Sequence, residues 1–67
     1  MKFQMYEMVR LKKAMSGLPA GAKGTIVMAY DYPREGYEVE FPELQAATAV
    51  LTLYPDDLDE IHPSTNI

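Results

Sequence analysis

The chain has no cysteine and no tryptophan, one histidine, and no apolar run approaching the ~20 residues that a membrane-spanning helix needs. Without cysteine, neither disulfides nor thiolate metal ligands can staple a chain of 67 residues, so packing or association has to hold it. The lone His62 stands beside Pro63 without the companions that a metal site, a proton shuttle or a nucleophilic triad requires. Positive charge is scarce as well. Six Lys and Arg face ten Asp and Glu, and the formal charge of −4 repels a phosphate backbone unless the basic residues cluster. The opening Met1-Lys2-Phe3-Gln4-Met5-Tyr6-Glu7 carries no apolar stretch of the signal-peptide kind, so a soluble, cytoplasmic protein with no membrane partner is expected.

What is present argues for strands. Apolar residues make up 48% of the chain, an ordinary globular share, and a chain this short removes only about 60% of its unfolded surface from water. One small core is expected. Gly21-Ala22-Lys23-Gly24-Thr25-Ile26-Val27 sets two glycines ahead of a β-branched run, which reads as a turn feeding a strand over residues 23–30. Gly21 and Gly24 are the expected turn residues. In that strand simple alternation places Ile26, Met28 and Tyr30 on one face and Val27 and Ala29 on the other.

Residues 5–12 alternate to give a first strand with Val9 and Leu11 inward and Arg10 in water. A loop with Gly17 and Pro19 follows, whose Leu18 is expected to plug one end of the core. Asp31-Tyr32-Pro33-Arg34-Glu35-Gly36 is dense in turn formers and reads as a hairpin loop exposing Tyr32 and Arg34. Tyr37-Glu38-Val39-Glu40-Phe41 alternates strictly, with Tyr37, Val39 and Phe41 inward. Residues 42–47 form a connection too short for a helix, residues 48–54 a fourth strand with Ala49, Leu51 and Leu53 on one face, and Pro55 ends it. Asp56-Asp57-Leu58 suits a 3₁₀ turn, and residues 58–62 a closing strand.

Five short strands in this order are similar to an SH3-like barrel, and the Gly21–Val27 element looks like the glycine-centred turn and strand of the KOW type. Gly17-Leu18-Pro19, Gly24-Thr25-Ile26-Val27, Tyr37-Glu38-Val39-Glu40-Phe41, Leu51-Thr52-Leu53 and Asp56-Asp57-Leu58 together resemble the uncharacterised bacterial domain-of-unknown-function family 4926 over about residues 5–61. The expected architecture is all-β: one five-stranded SH3-like barrel over residues 1–62, a 3₁₀ turn before the last strand, and a flexible C-terminal tail at 63–67. The resemblance implies a small stand-alone protein with a co-encoded partner, in an accessory or antitoxin-like role, and supplies no catalytic residue. The connection at 42–47 departs from the Asp and Gly turn often seen there in the family.

No constellation of enzyme chemistry stands out. Asp56, Asp57, Asp59 and Glu60 lack the glycine and bidentate glutamate of a calcium loop and read as capping carboxylates. Glu38 and Glu40 share a strand face open to water, which is no environment for paired acid–base carboxylates. Neither a metal nor a cofactor is expected, and no catalysis. Tyrosine is the abundant functional side chain, with five copies and a large, rigid contact area suited to interfaces. Met8, Met15, Tyr32, Arg34 and Tyr54 are the expected partner-binding surface. The first functional expectation is a non-catalytic module binding another protein or a second copy of itself. The alternative is a KOW-like domain binding RNA or single-stranded nucleic acid through Arg10, Lys12, Lys13, Lys23, Arg34 and Tyr32.

Overall fold

In a computed structural model, residues 1–42 and 50–61 are described. The elements run β1 (Met8–Leu11), β2 (Lys23–Tyr30), β3 (Gly36–Glu40), β4 (Val50–Leu53), a 3₁₀ turn (Pro55–Asp57) and β5 (Leu58–Glu60). All pairs are antiparallel, in the order β4-β3-β2-β1-β5. The all-β expectation holds, down to the five strands and the single turn after Tyr54. Closure into a barrel does not. Among the described residues β4 and β5 are the two edges and share no ladder. β5 is only three residues long and pairs all of them with β1, while Phe3 and Leu18, from outside the sheet, join the core. All but Pro42 of the expected connection at 42–47, Thr48 and Ala49 of the expected fourth strand, and everything from His62 onward lie outside the described residues.

Alternation puts the core where expected. Val9, Leu11, Tyr37, Val39, Phe41 and Leu58 are all essentially sealed from water, and Leu18 is buried as the expected plug. The plug sits in a two-residue turn: Met15 and Leu18 exchange backbone hydrogen bonds of 3.0 and 2.8 Å across Ser16 and Gly17, both at positive φ. Met15 packs against the core beside it.

The two glycines divide the work expected of both. Gly21 turns the chain at φ +88°, a conformation that costs a residue with a Cβ about 1–2 kcal/mol. Gly24 lies within β2 instead, where a Cβ would stand 2.7 Å from Val39 Cγ1 and 2.8 Å from the Glu40 carbonyl. It serves close approach, not reversal. A second difference lies three residues on. The β2–β3 register slips between Ile26 and Met28, so the bulge at Val27 leaves Ile26 inward and turns Met28 and Tyr30 outward. The expected shared face of Ile26, Met28 and Tyr30 is thereby broken.

Candidate functional site

Register builds the outer face of the sheet in rows. Met8, Thr25, Glu40 and Val50 form one row across four strands, then Met28, Glu38 and Thr52, then Tyr30 opposite Gly36. Tyr54, just past β4, completes the last row: a Cβ on Gly36 would lie 3.3 Å from its ring. With no side chain of its own, Gly36 lets the Tyr54 ring pack over it, and both line a cleft together with Tyr30. The β2–β3 hairpin adds Tyr32, Pro33 and Arg34 to the lining, and β4 adds Thr52. The cavity volume is about 380 Å³.

Each wall is held by a specific contact. The Arg34 guanidinium carbon lies 3.7 Å from the centre of the Tyr54 ring, a cation–π contact that fixes both side chains. Tyr54 is anchored below by the 3₁₀ turn, where its N–H donates to Asp57 Oδ2 at 2.9 Å and its carbonyl accepts from the Asp57 N–H. Two of the lining side chains share one acceptor: Glu38 Oε2 accepts from the Thr52 hydroxyl at 2.8 Å and the Tyr30 hydroxyl at 3.3 Å. Partial desolvation, then the Glu38 charge and its hydrogen bond, raise the Tyr30 phenol above the ordinary tyrosine value. Tyr32 is 85% exposed and makes no contribution to the core.

A separate network ties the N-terminal segment down on the inner side of the same hairpin. Phe3 is buried edge-on against Tyr37, with centroids 5.4 Å apart. Its N–H donates to the Tyr37 hydroxyl at 3.0 Å, that hydroxyl donates to Glu35 Oε2, and the Lys2 N–H donates to the same oxygen at 2.6 Å. The Tyr37 and Lys2 hydrogen bonds hold the Glu35 carboxyl below the usual carboxylate range. Burial, then the bond to Glu35, pushes the Tyr37 phenol up.

Of the expected surface, Tyr32, Arg34 and Tyr54 meet in the cleft. Met8 lies on the same sheet face, two rows away, and Met15 packs inward. Tyr30, Gly36 and Thr52 are brought to the site by cross-strand register, which no local pattern in the chain announces; the glycine opposite an outward tyrosine is the signal once the register is known. The basic residues do not form one patch with Arg34. Arg10 lies between Lys23 and Asp59 in the sheet, Lys12 Nζ is 3.9 Å from Asp59 Oδ1, and Arg34 is at the far end of β2. Among the described residues no helix is long and apolar enough to cross a membrane.

No curated protein and no solved structure matches the chain. A family model, described as a domain of unknown function, matches residues 5–60. That span runs from the turn ahead of β1 to the end of β5, so it takes in the whole described sheet and the tyrosine cleft, and the chain belongs to the DUF4926 family.

Proposed function

We propose that the chain is a small, non-catalytic protein-interaction module whose docking surface is the tyrosine cleft. The observation that carries this is Tyr32, an aromatic ring 85% exposed beside two further tyrosines and an arginine, where the fold gains nothing from it. Tyr and Arg dominate the residues on which binding energy concentrates. Gly36 and the Arg34–Tyr54 stack set the cleft before any partner arrives, which lowers the entropy lost on binding. The partner we expect is another protein encoded beside this one, in the accessory or antitoxin-like manner that its kind of small stand-alone chain suggests. Nucleic acid is the weaker reading, because Arg10, Lys12 and Lys23 are interleaved with Asp59.

The test is an affinity pull-down of the tagged chain from native lysate, with and without nuclease, beside the Tyr32→Ala variant. A single stoichiometric protein that survives nuclease and is lost with Tyr32→Ala is the expected result. Co-purifying material that nuclease removes would move the reading to nucleic acid, and a partner indifferent to Tyr32→Ala would move the surface elsewhere.

A further inference from the structure

We infer that Tyr6 is a second contact residue of the docking surface, so that the partner is a folded protein reaching from Tyr32 to the turn before β1, an inference that rests on the interaction-module reading. Tyr6 sits at φ +68°, in the left-handed region where a bulky side chain is an outlier. The other described non-glycine residue at positive φ is Ser16, which is small and lies inside the two-residue turn that carries Leu18. Tyr6 is neither small nor packed. It is 72% exposed and outside the buried core, and its ring and hydroxyl have no partner among the described residues.

The fold dictates the backbone at this place and not the side chain. The turn from Gln4 to Glu7 is closed by the Glu7 N–H donating to the Gln4 carbonyl at 3.1 Å and the Gln4 N–H donating to Glu7 Oε1 at 3.0 Å. Ahead of the turn Phe3 is sealed in the core. Behind it the Tyr6 N–H donates to the Ile26 carbonyl at 2.6 Å, and the Ile26 N–H to the Glu7 carbonyl at 2.9 Å. These contacts hold the third residue of the turn at positive φ, where glycine or asparagine is favoured. Stability alone would place one of those two here, because a tyrosine adds strain and returns no burial. A large rigid ring on a fixed, strained backbone is what an interface uses.

Position ties Tyr6 to the cleft. Its backbone is bonded to Ile26, and Tyr30, which lines the cleft, is four residues further along β2, roughly 13 Å at ~3.3 Å per residue. Between them Met28 is exposed. A contact of about 800 Å² per partner, the standard size, covers that span, and a short peptide confined to the cleft does not.

The experiment places the photocrosslinker p-benzoylphenylalanine at position 6 or position 32 of the full chain, irradiates each in native lysate and identifies the adducts by mass spectrometry. The same protein, other than a second copy of this chain, should be joined to both positions. Tyr6→Asn should then raise the urea midpoint at unchanged m, by relieving the strain, while capture of that protein falls about tenfold. A role in the fold alone would lower the midpoint, and that result overturns the inference. With a protein still captured at position 32, a different protein, a second copy or no adduct at position 6 overturns the role of Tyr6 and leaves the cleft reading standing, as does capture unchanged by Tyr6→Asn. No protein adduct at either position overturns both.

Discussion

Gly24 decides whether β2 and β3 can lie together. A methyl group there would meet Val39 Cγ1, the Glu40 carbonyl and the Phe41 ring all inside 3.0 Å, and one of these is backbone that has no rotamer to escape into. Gly24→Ala is therefore an overpacking substitution in the centre of the sheet and should cost about 1–3 kcal/mol, read as a drop in the urea midpoint at unchanged m. Gly21→Ala is the informative partner, because open space surrounds that position and only its φ of +88° is at stake. Its cost should be about 1 kcal/mol, from left-handed backbone strain alone. Equal midpoints for wild type and Gly24→Ala would mean that the β2–β3 crossing opens more readily than its contacts imply.

At the scale of elements, the N-terminal segment is held to the hairpin by one carboxylate and one phenol. The Glu35 pKa is lowered in the folded protein, so the unfolded chain binds the proton first as pH falls, and the stabilisation is whole above the ordinary glutamate value of about 4.3 and lost as pH drops through the folded value. The Tyr37 phenol is raised, so its share is whole below the ordinary tyrosine value of about 10 and lost as pH climbs through the folded value. Glu35→Gln should flatten the acid limb of urea midpoint against pH while leaving the midpoint at pH 7 less affected than Phe3→Ala, which opens a cavity and should cost about 3 kcal/mol or more. An acid limb of undiminished slope in Glu35→Gln would assign the acid sensitivity to other carboxylates. This segment also marks where the sequence stops being legible. Tyr37-Glu38-Val39-Glu40-Phe41 announces its faces by strict alternation, and the ends of β2 follow from its glycines and its tyrosine. Phe3 belongs to no periodic run, so its burial depends on a tertiary partner 34 residues away. The Val27 bulge is equally hidden, because an almost wholly apolar strand looks the same after a one-residue slip. The cleft is intermediate: Tyr32, Arg34 and Tyr54 read as exposed from their loop and turn contexts, whereas Tyr30 and Gly36 meet only through the register that the bulge creates.

Across the whole molecule the basic residues are separated by the sheet itself. Lys23 opens β2, with Arg10 across from it, and the hairpin that carries Arg34 begins after Tyr30 at the other end. Eight residues of strand span roughly 25 Å at ~3.3 Å per residue, well beyond the Debye length of about 10 Å at 0.1 M salt. At physiological ionic strength these two groups of charges do not reinforce one another's field, and Asp59 beside Arg10 and Lys12 weakens the group at the near end. The formal charge of −4 adds a long-range repulsion that salt screens and low salt exposes. Fluorescence anisotropy titrations with single-stranded RNA should therefore stay flat at both ends of the salt range. A binder that neutralised three phosphates would instead show log K falling with log salt at a slope of roughly −2. Such a slope, with affinity appearing as salt is lowered, would require one strand of RNA to run the length of β2 and touch Arg10, Lys23 and Arg34, and it would overturn the reading against nucleic acid.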